Sequence, residues 1–143
     1  MERGSSAASR RCLDILVIDD NKALLGSLEA LINMLGHPVT AAASGEEGLQ
    51  LALALHPTLV LCDISLDGSV SGYRVAREIR DNPALSNTYL VAMSGNSSQA
   101  DREKSAAAGF DRHVGKPFSV AELTLLMDDA WRHAVQVALR PAV

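Results

Sequence analysis

The sequence predicts an α/β protein built on a doubly wound, five-stranded parallel sheet with helices on both faces. Short apolar runs alternate along the chain with longer segments of helical spacing. Two of those runs, over 13–18 and 58–62, are almost continuously apolar, as strands covered on both faces must be. Helix-start and helix-stop residues punctuate the segments between them.

In chain order, residues 1–11 are small, polar and aperiodic and read as a disordered tail, with 12–143 forming one domain. The first strand is expected over Leu13–Ile18. A helix carrying the stripe Leu24, Leu28, Leu31, Ile32 and Leu35 follows it and stops at Gly36. The second strand lies over Pro38–Ala43. The next helix starts at the capping-box pair Ser44 and Glu47, presents Leu49, Ala52, Leu53 and His56, and ends at His56-Pro57. Thr58–Cys62 is the third strand, Val75 and Ile79 mark the third helix, and Tyr89–Met93 is the fourth strand. The segment over Ala106–Phe110 closes a fourth helix at Gly109, and Asp111–Gly115 is a weak fifth strand. A last helix begins at Ser119 with Glu122, and its periodicity continues past 134 to Leu139, so that Trp131, Val135 and Val137 project beyond the core toward a partner helix or fray as a tail. Strands two and five are the weaker pair and suit the edges, which gives the flavodoxin-like order 2-1-3-4-5.

Composition bounds what such a domain does. The chain has 143 residues, 48% of them apolar and 21% charged, with a formal net charge of −4. No cationic run exceeds Arg10-Arg11, so a nucleic-acid surface is not expected. No apolar stretch approaches the roughly 20 residues of a membrane span, and no secretion signal is visible. Cys62 lies inside an apolar run and reads as a buried free thiol, which suits a cytoplasmic location. His37, His56 and His133 lack partners at metal-like spacing and read as surface residues.

Chemistry concentrates at the carboxyl edge of such a sheet, above all between strands one and three. The first strand (LDILVIDD) ends in Asp19-Asp20, the third (TLVLCD) in Asp63, the fourth (YLVAMS) in Ser94 and the fifth (DRHVGKP) in Lys116-Pro117. Three carboxylates brought together repel one another unless a cation shares the site. Hard oxygen ligands in a half-open pocket suit Mg²⁺, which binds through one or two carboxylates plus a phosphate. A phosphoryl group there would meet the metal on one side and the Lys116 ammonium on the other. One carboxylate could then attack phosphorus and form an aspartyl phosphate, with the Ser94 hydroxyl donating to a phosphoryl oxygen.

Five segments carry a resemblance to the response-regulator receiver family: VIDDN at 17–21, LVLCDISL at 59–66, GYRVAREIR at 72–80, VAMSG at 91–95 and GFDRHVGKPF at 109–118. In this order and spacing the chain resembles that family from about Leu13 to about Ala134. The resemblance implies that Asp63 is the phosphoacceptor. It implies that Asp19 and Asp20 hold Mg²⁺ together with Asp63 and the backbone carbonyl of Ser65, Asp20 being the more direct ligand. Ser94 would be the switch hydroxyl and Lys116 the phosphate-binding lysine, followed by a cis Lys116-Pro117 bond. The implied partners are a sensor histidine kinase or a phosphotransfer protein, and a downstream protein. A homodimer would form through the last helix, or through the face made by the fourth helix, fifth strand and last helix. The chain is then a phosphorylation-controlled switch that catalyses only its own phosphorylation and dephosphorylation, standing alone or serving as a relay receiver of a hybrid histidine kinase.

Two places depart from the family pattern. The loop after Asp63 reads SLDGSVSGY, with Asp67 where the family has proline, Ser71 where it has glycine, and Gly72 one residue late. A one-residue insertion with a tight Asp67-Gly68 turn accounts for this. Three residues before Lys116, where the family places Tyr or Phe, stands His113, which makes the usual aromatic coupling weaker, altered or pH-sensitive. Two other classes compete. A small phosphohydrolase with Asp19 or Asp20 as nucleophile would want an acid two residues on, where Asn21 or Lys22 stands. A flavin site would be repelled by Asp19-Asp20, and an aromatic share of 3% leaves few stacking partners.

Overall fold

Each expected strand and helix forms among the residues described by the computed structural model, which are 12–95, 98–116 and 119–139. The tail over 1–11 lies outside them, as does Pro117 and with it the expected cis bond. The elements are β1 (Ile15–Ile18), α1 (Lys22–Met34), β2 (Val39–Ala42), α2 (Gly45–Leu55), β3 (Leu59–Asp63), α3 (Gly72–Asp81), β4 (Tyr89–Ser94), α4 (Gln99–Ala108), β5 (Arg112–Gly115) and α5 (Val120–Ala138). All strand pairs are parallel, in the order β2-β1-β3-β4-β5.

Alternate strand residues face opposite layers. Leu16, Ile18, Val60, Cys62, Leu90 and Ala92 pack with α2, α3 and α4 on one side. Ile15, Val17, Leu59, Leu61, Val91 and Met93 pack with α1 and α5 on the other. Every residue of β1 and β3 is buried, as the continuous apolar runs predicted. Each buried aliphatic side chain contributes on the order of 1.5–3 kcal/mol.

Helix ends follow the predicted signals. Ser119 and Glu122 form a reciprocal capping box. Ser44 accepts from the Glu47 amide, while the Glu47 carboxylate reaches one residue further back, to the Ala43 amide. His56 ends α2 in the left-handed region, and Gly109 ends α4 at φ 112°. Gly109 is required twice, because a Cβ there would also lie 2.5 Å from Arg80 Cγ.

Three expectations about helix faces are corrected. On α1 the buried residues are Leu25, Leu28 and Ile32, with Leu24 and Leu31 only partly buried and Leu35 exposed. On α2 the expected Ala52 is buried and Leu49 packs against the core, but Leu53 is exposed; the other buried residues are glycines, Gly48 approaching so closely that a Cβ would meet Ile18 at 2.4 Å, and Gly45 packing on Val70 of the loop after β3. On α5, Trp131 packs against the β1–β3–β4 core cluster instead of projecting past it, while Val120, Leu125, Val135 and the cap residue Leu139 are exposed. The helix itself does continue past 134, to Ala138.

Candidate functional site

Strand register alone assembles the site. Ile18 pairs with Cys62, so Asp19, the next residue, stands beside Asp63 at the carboxyl edge. Ser94 pairs with Gly115, and the Ser94 carbonyl accepts the Lys116 amide at 2.7 Å, which brings Lys116 to the same edge. The three acids, the lysine and Ser94 all stand at this edge.

Asp19 is fully buried and its amide donates to the Ala42 carbonyl at 3.0 Å, fixing the end of β1 against β2. Its Oδ1 accepts the Asn21 amide at 2.9 Å. Its Oδ2 lies 2.7 Å from Lys116 Nζ, a charge contact without the alignment of a full hydrogen bond. Asp63, 5% exposed, accepts the Ser65 amide on Oδ1 at 2.9 Å and Lys116 Nζ on Oδ2 at 3.1 Å. Asp20 is half-buried, and its Oδ2 accepts the Asp67 amide at 2.8 Å. Ser65 thus enters the site through its N–H. Ser94 is buried at the end of β4.

The electrostatics follow from burial. Burial pushes the Asp63 carboxyl above its ordinary range; the Ser65 amide and Lys116 pull it back, and the charge of Asp19 adds to the rise. Burial alone would lower the Lys116 ammonium, but pairing with Asp19 and Asp63 outweighs that and raises it. The Cys62 thiol is pushed far up by burial and by the charges of Asp63 and Asp19, so it is a packing residue and an inert one. One ammonium cannot balance three carboxylates whose oxygens lie within 4.8 Å of one another. The donor set, all hard oxygens with Asp20 partly open to solvent, fits a divalent cation of the Mg²⁺ type.

The loop after Asp63 has buried flanks and an exposed tip. Ile64, Leu66 and Val70 are buried, whereas Asp67, Gly68 and Ser69 are exposed and Gly68 takes φ 101°. Asp67 is a turn residue whose backbone, not its carboxylate, joins the site. Ser71 then caps α3. His113 is half-buried on β5, its Nδ1 2.6 Å from Ser105 Oγ on α4. Ser105 Oγ donates to the Asp101 carbonyl at 2.8 Å, so the imidazole Nδ1–H is the donor of the pair and Nε2 keeps a lone pair, buried and without a hydrogen-bond partner in the structure. Burial and Arg102 hold this histidine below its ordinary pKa, against an opposing pull from Asp101.

Three contacts were not foreseen from the sequence. The amide of Asp67 reaches Asp20 across 47 residues. Gly72 sits so close that a Cβ would lie 2.3 Å from the Asp63 carbonyl oxygen and 2.5 Å from Ile64 Cα; its position directly after a Ser cap, just beyond a strand-end acid, was the available signal. Arg80 donates to the carbonyls of Gly109 and Thr88, each at 2.8 Å, and pairs with Asp111, tying α3 to the far ends of α4, β4 and β5. His37 and His133 are also more than surface residues: His37 Nδ1 accepts the Leu13 amide at 3.0 Å, and His133 Nε2 lies 3.0 Å from the Asn87 carbonyl.

A parallel 2-1-3-4-5 sheet with three acids and a lysine at its carboxyl edge is a flavodoxin-like receiver architecture. The chain belongs to the response regulator receiver domain family of two-component systems, whose model matches residues 15–128. Protein PilG of Pseudomonas aeruginosa is 31% identical over 111 residues, covering 78% of this chain and 82% of PilG. The polar-differentiation response regulator DivK of Brucella ovis is 30% identical over 106 residues, covering 74% and 85%. The receiver domain of sensor histidine kinase PA1611 from Pseudomonas aeruginosa, solved with a magnesium ion coordinated in its active site cleft, matches with a TM-score of 0.78 at 30% identity, covering 84% of this chain and 98% of that one. Among the described residues no helix is long and apolar enough to cross a membrane.

Proposed function

We propose that this receiver accepts a phosphoryl group on Asp63, with Mg²⁺ bound by Asp19, Asp20, Asp63 and the Ser65 carbonyl. The observation that carries this reading is the convergence of Asp19, Asp20, Asp63 and Lys116 at one strand edge. The bound metal would supply positive charge to the phosphoryl oxygens. The Ser65 amide fixes the rotation of the Asp63 carboxylate, and a carboxylate oxygen forms the new O–P bond as the donor's P–N bond breaks. Lys116 then passes from carboxylate pairing to holding a phosphoryl oxygen, and the Ser94 hydroxyl donates to another. The donor is a sensor histidine kinase or a phosphotransfer protein, and the output is a protein contact. The likeness to the receiver of a sensor histidine kinase favours a relay role as the second reading.

The test is incubation of the full chain with acetyl phosphate and Mg²⁺, read by intact mass. One phosphoryl group should appear, depend on Mg²⁺, and vanish in Asp63→Asn. Label that persists in Asp63→Asn, or none in the parent, refutes the assignment.

A further inference from the structure

Asp19 and Asp63 are each held from two sides. Lys116 Nζ reaches both carboxylates, and the Asn21 and Ser65 amides each donate to one of their oxygens. Asp20 lacks the lysine. Among the described residues, the one hydrogen bond to its carboxylate comes from the Asp67 amide, 2.8 Å from Oδ2 and 47 residues along the chain.

The loop sets where that amide stands. Leu66 and Val70, on either side of the tip, are buried. Gly68 turns the chain at φ 101°, and Ser69 Oγ donates to Glu46 Oε1 on α2 at 3.2 Å. A donor anchored on both flanks fixes the rotation of the carboxylate it meets. Without it, half-buried Asp20 would turn toward solvent, away from two neighbouring carboxylates whose charges repel its own.

We propose that the Asp67 backbone amide is a positioning group for the metal: by tying Asp20 Oδ2 it orders this ligand before a cation arrives, and so raises Mg²⁺ affinity. This role rests on Mg²⁺ binding as proposed above, and it assigns nothing to the carboxylate of Asp67, an exposed residue. Hydrogen-bond partners of metal-ligating groups change affinity by about 10–100-fold, and one amide at a partly open site belongs at the lower end, about 10-fold. Linkage is reciprocal, so bound metal must strengthen the Asp67–Asp20 contact by the same factor.

Calorimetric titration of the full chain with magnesium chloride tests it. Asp67→Pro deletes the N–H and should weaken Mg²⁺ binding about 10-fold. Asp67→Ala keeps the N–H and should stay within about 3-fold of the parent at physiological salt, where the lost exposed charge is screened. Gly68→Ala adds a methyl that meets no atom but strains the φ 101° turn beside the amide, so it should also weaken binding. Urea unfolding without metal shows whether Asp67→Pro is folded; if it is not, Gly68→Ala decides. In the parent, exchange of the Asp67 amide proton should slow about 10-fold at saturating Mg²⁺, which a contact serving stability alone would not do. Parent-like affinity in the deciding variant overturns the proposal and leaves the metal site standing. So does unchanged amide exchange, or an Asp67→Ala that falls as far as Asp67→Pro, since the carboxylate would then be the active group. A parent that takes up no Mg²⁺ overturns the metal reading and this role with it.

Discussion

Replacing Lys116 with methionine keeps the aliphatic stem and removes the charge that two buried carboxylates face. Nζ stands 2.7 Å from Asp19 Oδ2 and 3.1 Å from Asp63 Oδ2, and the side chains are 18%, 0% and 6% exposed. At an effective dielectric of about 20 the two attractions are about 6 and about 5 kcal/mol. Desolvation of the ammonium cancels much of that, but the variant leaves the carboxylates buried and uncompensated, which costs about 3–5 kcal/mol. That is a large share of a domain's stability of about 5–15 kcal/mol. Urea unfolding at pH 7 in metal-free buffer measures it. Because the folded Lys116 pKa lies above its ordinary 10.5, the pairing is fully present at neutral pH and is lost only as pH climbs through the raised value. The gap between parent and variant should shrink as pH falls and the Asp63 carboxyl, already raised by burial, takes up a proton. Added Mg²⁺ should recover part of the loss. A variant within about 0.5 kcal/mol of the parent at pH 7 without metal would refute the charge balance argued for the site.

Three further outcomes are expected. Gly72→Ala sets a Cβ against the Asp63 and Ile64 backbone, so it should cost about 1–3 kcal/mol in urea unfolding and slow acetyl-phosphate labelling of Asp63; unchanged stability and labelling would show that the approach is not needed. Arg80→Met strips carbonyl partners from Gly109 and Thr88 and a cation from Asp111, a loss of roughly 3 kcal/mol with Mg²⁺ affinity unchanged, since these contacts lie at the end of the sheet away from the acids. His113 titrates below its ordinary 6.5 when folded, so the unfolded chain binds the extra proton first and stability should fall as pH drops from 6.5 toward the lower folded value. In His113→Phe that component of the pH dependence should be absent; identical pH profiles for parent and variant would remove the histidine from the account.

The strands were legible because buried parallel strands leave a simple mark: runs of apolar residues too short for a helix and bounded by turn residues. The helix faces were only half legible. Reading α2 by its apolar stripe found Ala52 and Leu49 but also pointed to the exposed Leu53, and it passed over the buried Gly45 and Gly48. Close approach selects against side-chain bulk, and a count of hydrophobic residues is blind to that. The same blindness passed over Gly72, whose value lies in the atoms it lacks. Arg80 was missed for the opposite reason: it looked like one more charge on a helix, and its acceptors come together only when three separate chain segments end at one place.

The acids and lysine were legible because strand register does the work of bringing them together, and register follows from the same apolar runs. The two departures from family spacing resolve unequally for that reason. After Asp63 the exposed residues 67–69 form the loop tip, while Ser65 below it holds the Asp63 carboxylate, Gly72 packs on the Asp63 backbone, and the Asp67 amide ties the tip to Asp20. Contacts on both flanks of the loop fix the position of the Asp63 carboxylate. His113 has no such local remedy. It replaces an apolar ring with an imidazole whose Nδ1 is committed to Ser105 and whose Nε2 is buried with an unused lone pair. An inward swing of this ring would have to break a 2.6 Å hydrogen bond to α4, which the family's Phe could not make. The acidic edge is thus held by register and by short backbone contacts, whereas β5 is coupled to α4 through the His113–Ser105 hydrogen bond.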